Sequence, residues 1–135
     1  MSLAFSKDKS DLRKQWLYNF DENSILDHNM KDISIPDFID RELIHFSNSD
    51  TLRSIGSLYD GLKPSQRKIL YSCFKRNLYN EIRVAQLAGY VSEKAAYHHG
   101  EASLQSAIVG MAQDYVGSNN INLLMPNGQF GTRIM

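Results

Sequence analysis

"NINLLMPNGQFGTR", residues 120–133, decides how the chain is read. Asn127-Gly128 lies between two short β-capable runs, the strongest local hairpin signal, because the tight turns that suit twisted strands need positive φ at their centre. A hairpin alone settles little. Its place after a series of amphipathic helices sets the fold class.

Upstream, "YDGLKPSQRKILYSCFKRN" (59–77) turns at Asp60-Gly61 and restarts as a helix at Pro64, where the missing N–H costs nothing. Ile69, Leu70, Cys73 and Phe74 predict its buried stripe, and Arg67, Lys68, Lys75 and Arg76 its polar face. "RVAQLAGYV" (83–91) predicts a further helix ending near Gly89 or slightly beyond. From Glu101 to about Val116, Leu104, Ile108, Met111, Ala112 and Tyr115 have the spacing of a core face, opposite a small, polar face of Ala102, Gln105, Ser106 and Gln113. Three short helices followed by a hairpin describe a winged helix, mainly α with a small β wing.

The N-terminal part reads as a helical segment leading into that domain. "SKDKSDLRKQWLYNF" (6–20) places Leu12, Trp16 and Phe20 four apart, and 21–33 is a polar connector. "SIPDFIDRELIHF" (34–46) offers Ser34 as cap, Asp37 three residues on, Pro36 in the first turn, and an apolar face of Ile35, Phe38, Ile39, Leu43 and Phe46. The expected division is therefore 1–3 as a candidate cloning remnant, 4–33 as approach segment and connector, and 34–135 as the winged-helix domain.

Composition bounds the function. The chain has 135 residues, 42% of them hydrophobic, which is enough for a real core. A formal net charge of zero conceals an asymmetry: residues 1–50 sum to −4 and residues 51–135 to +4. The basic part is a candidate for a phosphate-bearing partner. The one cysteine, Cys73, excludes an internal disulfide, fits a reducing compartment, and at helical spacing from Leu70 and Phe74 reads as a small core residue. No apolar run approaches the roughly 18 residues of a membrane span.

"AAYHHGEASL" (95–104) holds two adjacent histidines. Neighbours in sequence point in different directions, so His98 and His99 are poorly placed to share one ion, and His28, His45 and Cys73 lie in other elements. No metal site is predicted. Acid–base catalysis lacks a nucleophile nearby, since Glu101 suits the first turn of a helix for dipole reasons alone. Two readings stay open on the residues: an anion contact at a helix start with Gly100 allowing close approach, or one histidine capping and the other packing. Arg53, Lys63 and Arg67 flank the turn into the second predicted helix and suit backbone contacts, which carry little sequence information. Only Gln105 and Gln113 on the last helix are equipped to read bases.

Three stretches, "RSIGSLYDGLKPSQRKILYSCFKRN" (53–77), "VAQLAGYVSEKAAYHHGE" (84–101) and "AQDYVGSNNINLLMPNGQFGTR" (112–133), resemble the DNA-cleavage core of eukaryotic type IIA DNA topoisomerases. "AFSKDKSDLRKQWLYNF" (4–20) resembles the segment between the metal-binding (TOPRIM) and winged-helix domains of the same enzymes. The resemblance implies an ATP-dependent, Mg2+-requiring nuclear homodimer that cuts double-stranded DNA through a phosphotyrosyl link and passes a second duplex. In that family the tyrosine, with an arginine before it, lies a little downstream of "QFGTR", beyond Met135. No catalytic residue is therefore assigned here, and the fragment alone is expected to be inactive, binding no cofactor of its own, with the TOPRIM and ATPase domains elsewhere in the parent chain.

By position, Lys63, Tyr97, Arg13 and Lys14 match DNA-touching residues of the family, and Arg53, Arg67, His98 and His99 match positions near the scissile phosphate. Gln129 in the wing is a weaker match. Ala102 corresponds to a drug-pocket position usually occupied by something bulkier. Gly56 replaces a usual proline and is expected to loosen its turn. Asp8 stands where lysine is common, and the 21–33 connector is short for the family. The rival class is a non-enzymatic winged-helix DNA-binding module.

Overall fold

In a computed structural model describing residues 1–134, the chain divides into two compact units, Met1–Ile55 and Gly56 onward. The break thus falls later than residue 33, where the sequence pattern sets it. By composition, the first unit has seven basic and ten acidic residues, and the second eight and five.

In the first unit a short turn, α1 (Ser2–Phe5), and a 3-10 turn lead into α2 (Ser10–Tyr18). The connector has no helix. Instead Asp21 and Asp27 each accept from the backbone N–H two residues on, at 2.9 and 3.0 Å, giving turns that need no ladder. Ser34 caps α3 (Ile35–Phe38) as expected, its hydroxyl oxygen accepting from the Asp37 N–H at 3.2 Å. Only part of the expected apolar face is buried. A π-helical turn over Ile39–Leu43 adds a residue before α4 (Ile44–Ser54), rotating everything after it. Ile39 and Ile44 are buried while Ile35, Phe38 and Phe46 are exposed. The Trp16 indole N–H donates to Asp40 at 3.0 Å, and His45 bonds the Ser24 carbonyl at 3.0 Å with Phe20 against its ring.

The second unit is three helices around one core. α5 (Pro64–Lys75), α6 (Val84–Lys94) and α7 (Glu101–Ala112) bury Ile69, Leu87, Ala88, Val91, Leu104, Ile108 and Met111 together. Burying each of the larger side chains stabilises by about 1.5–3 kcal/mol. α6 runs five residues past Gly89, and α7 stops at Ala112, leaving Tyr115 half-buried. On α5 the stripe is narrower than expected. Phe74 is 76% exposed and Tyr71 is half exposed, whereas Ser72 is fully buried because its hydroxyl donates to the Lys68 carbonyl at 2.9 Å. Cys73 packs beside the core, and burial pushes its thiol pKa up, which suits packing rather than reactivity.

No strand of the expected β wing is present among the described residues. Side-chain and backbone groups of the segment go to the end of α7 instead of to a ladder. The N–H groups of Leu123 and Leu124 donate to the Met111 carbonyl at 2.9 and 3.2 Å, and the Asn119 amide donates to the Gly110 and Gln113 carbonyls. These are carbonyls that a helix end leaves without partners. The Gln113 amide donates to the Phe130 carbonyl at 2.9 Å, so it is not available as a base reader. At the turn itself only Gly128 has positive φ, 118°, while the expected hairpin turn needs it at Asn127 too. Pro126 further removes a donor.

The loop before α5 is tight. A side chain at Gly56 would bring its Cβ within 2.4 Å of the Gly61 carbonyl oxygen, so glycine here closes the turn instead of loosening it. Asp60 accepts from the Leu62 N–H at 3.0 Å and from Arg67 at 2.6 and 2.8 Å. The Leu62 N–H first, and Arg67 after it, hold the Asp60 carboxyl below the ordinary carboxylate pKa.

Two outcomes follow. Leu104→Ala is expected to lower unfolding stability by about 2–5 kcal/mol in urea titration, whereas Phe74→Ala changes it by less than about 1 kcal/mol. Because the folded pKa of Asp60 is depressed, its contribution is complete above the ordinary carboxylate pKa and is lost as pH falls through the folded value. Amide exchange at Leu62 measured by NMR on acidification is expected to rise in that window, and Asp60→Ala to raise it already at neutral pH.

Candidate nucleic-acid interface

The second unit assembles its polar surface from two pieces of chain. α5 begins at Pro64, and its N-cap residue Lys63 donates its N–H to the Gln66 side chain at 2.9 Å. This leaves the Lys63 ammonium exposed, with no ion pair or hydrogen-bond partner among the described residues. One turn on, Arg67 is exposed but tied to Asp60. Such a surface pair contributes little stability, so the guanidinium is held in place and remains exchangeable.

The second piece is the loop 95–100 between α6 and α7. His98, His99 and Gly100 are exposed. The Tyr97 hydroxyl is 3.0 Å from that of Ser103, which donates to the Gly100 carbonyl at 2.8 Å. The Tyr97 and His99 rings meet edge to face with centroids 5.4 Å apart. His98 has no hydrogen-bonding partner among the described residues. Lys68 of α5 joins the two pieces, its ammonium donating to the Ala96 carbonyl at 2.9 Å. Lys63, Arg67, Tyr97, His98 and His99 thus belong to one connected region, with Ala102 exposed on the first turn of α7.

Gln129 belongs to another part of the second unit, and three further candidates belong to the first. Gln129 is exposed and adjoins Phe130, whose carbonyl is bound at the C-terminal end of α7. The histidine loop leads into the opposite end of that 12-residue helix, about 18 Å long. A groove of about 850 Å³ opens beside Phe130, lined by Leu78, Ile82, Leu123 and Met125 among others. Arg13, Lys14 and Arg53 are in the first unit, each already occupied. Arg13 donates to the Leu3 and Ser6 carbonyls at 3.2 and 2.5 Å, Lys14 pairs with Asp11 and Arg53 with Asp50, both at 2.8 Å. The nearby cations hold Asp11 and Asp50 below the ordinary carboxylate pKa, in each case first through the hydrogen bond itself.

Three contributors were not among the sequence candidates for the site: Asp60, read only as a turn residue, Lys68, read only as part of a polar face, and Ser103. An Asp just before Gly61 is a recognisable turn signal for Asp60. The partner of Lys68 is 28 residues away, and nothing local announces it. Among the described residues no three His, Cys, Asp or Glu side chains converge as metal ligands, and no helix is long and apolar enough to cross a membrane.

Comparison with known proteins gives the region its context. The family described as the A subunit of DNA gyrase/topoisomerase IV matches residues 53–135, and the C-terminal associated domain of TOPRIM matches residues 1–51. The second match includes the three residues set apart as a candidate remnant. DNA topoisomerase 2 of Saccharomyces cerevisiae is 59% identical over 98% of the chain, and the mitochondrial DNA topoisomerase 2 of Dictyostelium discoideum is 58% identical over 99%. The chain spans about a tenth of the length of these relatives, 9% and 10%. A crystal structure of the Plasmodium falciparum topoisomerase II DNA-binding, cleavage and re-ligation domain is 59% identical and superposes with a TM-score of 0.73, covering 96% of this chain and 18% of that one. Likeness of this extent leaves no room for a self-contained binding module of another family. The chain belongs to the DNA gyrase/topoisomerase IV A-subunit family and is similar over nearly its whole length to a segment of eukaryotic DNA topoisomerases 2.

Proposed function

We propose that the second unit supplies DNA-backbone contacts around the cleavage site of a type IIA topoisomerase, with α5–α7 as its winged-helix scaffold. The observation that carries this reading is the exposure of Lys63 and His98 without intramolecular partners among the described residues, in a chain 59% identical to DNA topoisomerase 2. Exposed donors that no carboxylate neutralises are suited to phosphate oxygens. Arg67, His99 and Tyr97 extend the same region, and Arg13, Lys14, Arg53 and Gln129 are proposed as further DNA contacts. Ala102 is proposed to border the pocket for intercalating poisons, made roomier by its small side chain.

In the proposed reaction a tyrosine hydroxyl attacks a backbone phosphorus. One phosphoester bond forms to the tyrosine as another breaks, and a free deoxyribose hydroxyl leaves; religation runs the exchange backward. None of the chain's seven tyrosines is assigned as the nucleophile. The role of Lys63, Arg67, His98 and His99 is to hold the phosphate in register and stabilise the charge that builds on its oxygens in the transition state. The parent enzyme is proposed to be a homodimer that uses ATP and Mg2+ bound outside this chain, in its ATPase and TOPRIM domains, and to work on nuclear double-stranded DNA. The donor sets among the described residues offer no place for the metal.

Fluorescence anisotropy with labelled duplex DNA tests the reading. Affinity is expected to fall steeply with salt, and Lys63→Ala to weaken binding on all sequences alike while reducing the slope of log K against log[salt] by about 0.9. Binding indifferent to salt, or a loss confined to one sequence, would refute the backbone role.

A further inference from the structure

We propose that Lys68 is a positioning residue that sets the histidine loop, an inference resting on the backbone-contact reading of that region. Lys68 follows Arg67 on α5 but turns its ammonium along the surface onto the Ala96 carbonyl at 2.9 Å. Ala96 has φ 46°, the left-handed region, in a residue that carries a Cβ and has no side-chain hydrogen bond to offset the strain. A residue other than glycine keeps that conformation only where its surroundings hold it there. A charge-assisted bond from Lys68 is such a hold.

The consequence passes along the chain. Fixing the Ala96 carbonyl fixes the peptide plane into Tyr97. Tyr97 is then fastened at its far end to Ser103 and braces the ring of His99 at 5.4 Å. Lys68 thus ties the imidazoles to the helix that carries Lys63 and Arg67. Neighbouring cations divide the work: Lys63 and Arg67 are exposed to meet phosphate, while Lys68 is half-buried and already committed to the loop.

The test uses the full-length protein that carries this chain, a fluorescein-labelled duplex, and a salt titration of affinity together with the yield of covalent DNA–protein complex. Lys68→Met is expected to lower affinity about 5–30-fold at every salt concentration, with the salt slope unchanged because no phosphate contact is lost. Lys68→Arg, which keeps a charged donor, is expected to restore most of the affinity and the cleavage yield. Should Lys68→Met fail to melt cooperatively, Lys68→Gln, which retains an N–H donor, is measured with the same expectation of an unchanged slope and a smaller loss. A slope reduced by about 0.9 would make Lys68 a phosphate ligand and overturn the proposal. So would an unaltered affinity alongside a normal effect of Lys63→Ala. If Lys63→Ala and His98→Ala are also silent, the backbone-contact reading itself fails and this proposal falls with it.

Discussion

A helix buried along one side must still find partners for the carbonyls at its end, and that requirement governs how the second unit closes. α7 is covered by α5 and α6 through Leu104, Ile108 and Met111. Its last carbonyls are taken by the Leu123 and Leu124 N–H groups and by the Asn119 amide. The chain after α7 is therefore drawn back across the helix end. The same helix, by its other end, receives a loop whose outward residues are left to solvent. Core and surface are consequences of one buried rod.

Much of this was legible in the sequence, for physical reasons. Helical periodicity fixed the core residues Leu104, Ile108, Met111 and Ala112 of α7, since burial of one face leaves a period in the apolar positions. The Ser34 cap was readable because capping is local. What failed had non-local causes. The π turn at Ile39–Leu43 shifts the face of the residues after it, so that Ile44 is buried and Phe46 is not, and no composition marks such an inserted residue. The Asn127-Gly128 signal predicted strands, yet the donors needed for a ladder were claimed by the end of α7. Phe74 had the right spacing on α5 but lies where no partner element covers it.

The site shows the same division. The candidate residues came chiefly from resemblance, whereas how they are held was not legible. Lys63, His98 and Tyr97 were named, but Asp60, Ser103 and Lys68, which shape the turn and fasten the loop, contribute through contacts with chain 2 to 28 residues away. Opposite formal charges of the two units also explain why overall neutrality said so little. The acidic excess lies in the first unit, where Lys14 and Arg53 are already paired, and the basic excess in the second, where Lys63 is not.

Hydrogen–deuterium exchange of the full-length protein, with and without duplex DNA, tests the central claim most directly. The account predicts DNA-dependent protection in peptides covering 61–68 and 95–103 together, since one bond joins them into a single backbone-facing region. Protection confined to 78–84 and 123–130, around the groove at the far end of α7, would contradict it.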